Sequence, residues 1–310
     1  DAFTLDTTLP TVTAATPEMA SSGVSIEVGE INITFSEPID QATVIGDNFQ
    51  IRLGTTPLAQ LSDPTYDEAT NAVRLLPEGG LLPGSQYTIE VSAAIQDLSG
   101  NRPADATTWS FSTQVPQLVA TAPADGALDA AGDGRIPATF DAPPLTGILA
   151  NADAVTVPAE SEPVALQDAP IFDAETNTLV IQLDNAFSPG ALYEVVLDGL
   201  LAGPLRAVAA GDFTWQFRTP VPELTASTPT DGQVDIATAA NAIAAVFDNP
   251  VDAEILLQSG SVTAFKSGAE IEIAGLEYIS ETRTARFTVA AGLRAGTAYQ
   301  VRIAAAAGGP

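Results

Sequence analysis

Hydrophobic and polar residues alternate along much of this chain. In QYTIEVS, Tyr87, Ile89 and Val91 fall on one side of an extended segment, and Thr88, Glu90 and Ser92 on the other. INITF sets Ile31, Ile33 and Phe35 against Asn32 and Thr34. Period two marks a strand buried on one face only. Pro83-Gly84 and Pro189-Gly190 supply turns directly ahead of two such segments. About seven segments of this kind per hundred residues predict a two-sheet antiparallel sandwich. No long helical pattern is sustained, and no apolar run reaches the ~18 residues of a membrane helix.

The pattern recurs at a fixed period. The prolines of ATP, TAP and STP stand at Pro17, Pro123 and Pro229, each 106 residues from the last. GSQYTIEV, GALYEVVL and GTAYQVRI place Tyr87, Tyr193 and Tyr299 at the same spacing. TFSEP, TFDAP and VFDNP place Phe35, Phe140 and Phe247 at spacings of 105 and 107. Three copies of one module with few insertions follow from this periodicity. The proline-marked links divide the chain into an N-terminal segment, 1–9, and modules at 10–116, 117–222 and 223–310.

The first copy carries ITFSEPID, LLPGSQYTIEV, DLSGN and WSFST in that order. It resembles the bacterial Ig-like repeat of S-layer proteins and large surface adhesins. The resemblance covers nearly the whole chain and fades in the third copy; the second has DGLLAGP where the first has DLSGN. The resemblance implies an immunoglobulin-like sandwich, an extracellular bacterial setting and a structural or adhesive role. It supplies no catalytic residues.

The closing segments WSFST and WQFRT end the first two copies, yet the third runs through AYQVRI to Pro310 without one. The missing pattern stands at the front, in DAFTLDTT. Phe3 is in phase with Trp109 and Trp215, Leu5 with Phe111 and Phe217, and Thr7 with Thr113 and Thr219. The eight positions that the period leaves between Pro310 and Asp1 map onto residues 99–106, SGNRPADA, the loop before the first closing segment. The expected fold is therefore all-β: three tandem immunoglobulin-like sandwiches, the third without its last strand, and an orphan strand at the N-terminus. The expected function is that of a structural subunit of an extracellular filament. In it, residues 2–8 of one copy, through Phe3, Leu5 and Thr7, would complete the third module of the next copy against Tyr299, Val301 and Ile303, a recognised mode of strand addition. The alternative is a spacer within a longer Ig-like repeat adhesin or S-layer protein.

Charge and chemistry narrow the partners. Eleven basic against 39 acidic residues give a net charge of −28, which repels nucleic acid and anionic lipid. Identical copies are the expected partners. Without cysteine or histidine the chain has no thiolate nucleophile, no disulfide and no imidazole base or metal ligand. Asp125, Asp129 and Asp133, Asp231 and Asp235, and the DLSGN loop at Asp97 raise calcium as an alternative. Their spacings do not fit a calcium loop, and Asp-Gly is equally a turn signal, so they are read as turns. Glu37 and Asp40 stand at the turn after TFSEP, where Asp252 also occurs in the third copy, which fits fold grammar better than acid–base catalysis. Trp109 and Trp215 alternate with Phe111 and Phe217 on one strand face and are read as core rather than as a sugar platform. No enzyme activity and no cofactor are expected.

Overall fold

The structure is a computed structural model that describes residues 5–239 and 241–304. Strands dominate, and the helical residues fall in short 3-10 turns and the short α-helices Pro204–Ala209 and Ala253–Leu256. Each module is a pair of antiparallel sheets facing one another across an apolar core.

In the first module, Val12–Thr16, Ile31–Phe35, Ala72–Leu75 and Thr65–Asp67 lie side by side in one sheet. The opposing sheet runs Thr56–Leu58, Phe49–Leu53, the tyrosine strand Gln86–Val91 and the closing strand Thr107–Ser112. The second module repeats this plan with its tyrosine strand Leu192–Leu197 and closing strand Phe213–Arg218. In the third, Leu224–Thr228, Ala242–Phe247, Thr284–Val289 and Ile273–Ile279 form the first sheet. The second sheet is Ala269–Ile271, Val262–Lys266 and the tyrosine strand Tyr299–Ile303.

The alternation seen in sequence is the alternation of burial. Tyr87, Ile89 and Val91, like Tyr193, Val195 and Leu197, are sealed in the core. Trp109, Phe111, Trp215 and Phe217 are buried with them, which removes the sugar-stacking alternative. Tyr87 stacks on Phe111 with centroids 5.4 Å apart, and Tyr193 on Phe217 at 5.3 Å. Each tyrosine hydroxyl accepts a backbone hydrogen bond from five residues upstream. The donors are Leu82 N at 2.7 Å, Ser188 N at 2.8 Å and Arg294 N at 2.9 Å. This is the tyrosine corner of immunoglobulin-like sandwiches, present in all three modules.

DGLLAGP, which replaces the DLSGN turn, builds something new in the second module. Gly199–Ala202 forms a 3-10 turn that runs into the short helix, and the Arg206 guanidinium lies 3.8 Å over the Phe213 ring. The turn also meets the first module. Leu205 N donates to Gly84 O at 2.9 Å, and a Cβ on Gly84 would stand 1.9 Å from Ala202 O. Gly203 is equally constrained, since its Cβ would meet Pro83 O at 2.0 Å. Both glycines have positive φ, so the junction needs them for conformation and for space.

Candidate functional site

The edge of the third module differs from its two precedents. In the first two modules the tyrosine strand has a neighbour on both sides. Phe49–Leu53 and Thr107–Ser112 flank the first, and residues 155–159 and Phe213–Arg218 flank the second. Tyr299–Ile303 pairs with Val262–Lys266 on one side, and no described residue pairs with its other edge.

Side-chain burial follows that pairing. Tyr299, Val301 and Ile303 are only partly buried, while Gln300 and Arg302 on the outer face are exposed. Arg302 lies 4.7 Å over the Phe265 ring on that outer face, which fixes which side of the strand looks inward. Among the described residues the buried core numbers 17 residues in the first module, 18 in the second and 9 in the third. A cleft of about 200 Å³ opens beside Tyr299, lined in part by Ile271, Val289, Arg294 and Lys266. The three acceptor residues expected from sequence thus lie together on one partly open face.

The expected donor residues are divided. Phe3 lies outside the described residues. Leu5 and Thr7 are exposed, Leu5 at 76%, in a stretch with neither helix nor strand. Asp6 between them leans on its own first module: its backbone oxygen accepts from Asn101 Nδ2 at 3.3 Å, and its Oδ2 from Ser99 Oγ at 3.4 Å.

That contact gathers Asp6, Glu37 and Asp97, the one group of three such carboxylates within 4.8 Å among the described residues. Sequence reasoning missed it, because 60 residues separate Glu37 from Asp97 and only the fold joins the two loops. Asp97 is buried and accepts from Ser99 N and Asn101 N at 2.8 Å and from Asn101 Nδ2 at 2.7 Å. Burial pushes its pKa upward, but these donors and Gly100 N outweigh burial and hold it below the ordinary 3.8. The DLSGN segment is thus a turn organised by its own aspartate.

Glu37 has no such help. Its Oε1 is shielded from solvent without a hydrogen-bond partner. Burial first, then the Asp6 and Asp97 charges, push its carboxyl above the ordinary 4.5. A raised folded-state pKa means that the folded chain favours the protonated acid. Its destabilising contribution is therefore absent below pH 4.5 and grows as pH rises through the raised value. Glu37→Gln should raise the melting temperature of the first module at pH 7 and leave it nearly unchanged at pH 4. A lower melting temperature at pH 7 would mean that the carboxylate is used.

Asp125, Asp133, Asp40 and Asp252 serve turns and links. Asp125 Oδ1 accepts from Gln216 N at 3.0 Å, and Asp133 Oδ1 from Arg135 N at 3.3 Å. Asp40 and Asp252 cap the short helical turns that follow them, through Ala42 N and Ile255 N.

The profile of the bacterial Ig-like domain matches residues 6–113, 114–219 and 220–308. These segments begin a few residues ahead of the proline links. No curated protein sequence matches the chain. Among solved structures, surface layer protein SbsC, domains 1–6, is similar at 14% identity over 96% of this chain and 53% of that one, with a TM-score of 0.29. The I-band fragment I67–I69 of titin is similar at 11% identity over 96% and 93%, with a TM-score of 0.25. PcoC, a methionine-rich copper resistance protein from Escherichia coli, is similar at 14% identity over 34% and 97%, with a TM-score of 0.28. This chain spans about half the length of the SbsC structure. Similarity this low carries no functional argument.

Proposed function

The chain belongs to the bacterial Ig-like domain family, and from that premise we propose that it is a structural subunit of an extracellular filament, joined head to tail by strand exchange. Residues 2–8 of one copy complete the sheet edge at Tyr299–Ile303 of the next. One observation carries this reading: a tyrosine strand that is flanked on both sides and sealed in two modules is, among the described residues, half-paired and half-open in the third. An unpaired edge beside an open apolar face is an association site unless something covers it. The repeat phase supports DAFTLDTT as the cover, because its Phe, Leu and Thr fall where the closing strands carry their inward residues.

The register follows from the complete modules. Tyr87 faces Phe111 and Ile89 faces Trp109, just as Tyr193 faces Phe217 and Val195 faces Trp215. By phase, Tyr299 receives Leu5 and Val301 receives Phe3. A slip by one residue would turn both side chains outward and set Asp6 against the core. The junction between the first two modules supplies a template for flanking contact. In phase with Ala202–Leu205 stands the loop Gln96–Ser99 of the first module, whose Leu98 is 75% exposed. In phase with Pro83–Gly84 stands Ala295–Gly296, and space around Gly296 is free. No catalysis, cofactor, nucleic acid or membrane insertion belongs to this reading.

The test is assembly state against concentration, by sedimentation and electron microscopy, for the full chain and for a chain lacking residues 1–8. Linear polymers of the first and monomers of the second are expected. A full chain that stays monomeric throughout would favour the other reading, a spacer whose third module is closed by residues that follow in a longer protein.

A further inference from the structure

We infer that the incoming strand is recognised by a hydroxyl clasp as well as by its apolar side chains, and that Thr7 is the residue that makes it. This inference rests on the strand-exchange reading and adds what fixes register and selects the partner strand.

The clasp is visible twice. In the first module Thr113, 1% exposed, sits where the closing strand passes the turn before the tyrosine strand. Its Oγ1 accepts from Ser85 N at 2.9 Å and donates to Leu82 O at 2.7 Å, while its own N donates to Ser85 O at 2.9 Å. The next residue completes the grip, since Gln114 O accepts from Gly84 N at 2.8 Å. The second module repeats every contact. Thr219, 2% exposed, accepts from Ala191 N at 2.9 Å and donates to Ser188 O at 2.6 Å. Its N donates to Ala191 O, and Pro220 O accepts from Gly190 N, both at 3.0 Å. In both modules one hydroxyl thus bridges a turn N–H and a turn carbonyl within a buried site.

Among the described residues the third module has the turn without the clasp. Gly296 takes a φ of +66°, against +53° at Gly84 and +70° at Gly190. Arg294 N is held by Tyr299 Oη as in the other corners. Gly296 N and Thr297 N, the counterparts of the clasped groups, donate to no described residue. Thr7 stands 106 and 212 residues before the two clasping threonines, and it is exposed in this chain. Seated in another copy, its Oγ1 would accept from Thr297 N and donate to Arg294 O, and its N would donate to Thr297 O. Thr8 O would accept from Gly296 N. A strand two residues out of register would keep its inward face but bring Leu5 or Leu9 here, offering no hydroxyl and leaving the covered Thr297 N–H unpaired, which is costly in a dry site.

The test uses the full chain at a concentration below assembly and a fluorescent peptide of residues 1–9. Binding is read by anisotropy for the native peptide and for its Thr7→Val, Thr7→Ser and Thr4→Val forms. Valine keeps the shape and strand preference of threonine but lacks the hydroxyl. Thr7→Val should bind about 10- to 100-fold more weakly, as expected when a buried donor loses its partner. Thr7→Ser should stay within a few-fold of native, and so should Thr4→Val, since position 4 would face outward in the seated strand. Equal binding of the native and Thr7→Val peptides overturns the clasp and leaves strand exchange standing. If no peptide binds, strand exchange itself falls, and the clasp with it.

Discussion

Leu5→Asp and Val301→Asp should each abolish polymerisation, and an equimolar mixture of the two should form dimers and nothing longer. Leu5→Asp spoils the donor strand, because its side chain would enter the face that Phe111 and Phe217 fill in the complete modules. Placing an unpaired carboxylate there costs several kcal/mol. The acceptor edge of that variant is untouched. Val301→Asp does the reverse: it places a charge on the open face of Tyr299–Ile303 and leaves residues 2–8 native. Each variant alone therefore has one dead end and remains monomeric. Mixed, the Val301→Asp chain donates, the Leu5→Asp chain accepts, and the resulting dimer has two spoiled ends. Mass photometry distinguishes this from every alternative. Long polymers from either variant alone would place the contact elsewhere on the molecule. Failure of the mixture to dimerise, with both variants folded, would mean that donor and acceptor are not these two segments.

Most of the fold was legible because the modules repeat. Tyr87, Tyr193 and Tyr299 keep one spacing, so the alternation read around one of them held for the others, and all three hydroxyls make the same bond. The tryptophans and phenylalanines of the closing strands were placed in the core by period two alone. What the sequence concealed depended on approach in three dimensions. Gly84 reads as the second residue of a turn, but nothing local shows that Ala202 O will press against its Cα. DGLLAGP reads only as a replacement for DLSGN, yet it forms the surface that meets the neighbouring module. Glu37 and Asp97 each look like ordinary loop acids until Asp6 arrives from the chain start. Thr113 and Thr219 were visible as a phase match, but a small polar residue at a strand end gives no sign of a four-point clasp.

A chain that carries its own closing strand in cis should be monomeric, and its third module should melt far higher than in the native monomer. The design follows the repeat phase: residues 1–8 are removed, and a copy of SGNRPADA followed by DAFTLDTTL is appended after Pro310. The linker copies residues 99–106, which span the same gap between tyrosine strand and closing strand in the first module. Completion would bury Phe3 and Leu5 against Val301 and Tyr299. Each buried side chain of that size contributes about 1.5–3 kcal/mol before the ordering of the strand is subtracted. In a module of under one hundred residues, 1 kcal/mol moves the melting temperature by about 4–8 °C. A rise of roughly 10 °C in the lowest calorimetric transition is therefore expected, with the transition of the second module unmoved. The third module should melt first in the native monomer, since its described core has half the buried residues of its neighbours. Closure in cis also occupies the only edge that strand exchange uses, so polymers should vanish even though the donor sequence is still present. If the lowest transition does not move, the third module is stable without this strand, and the open edge at Tyr299–Ile303 is not the assembly site.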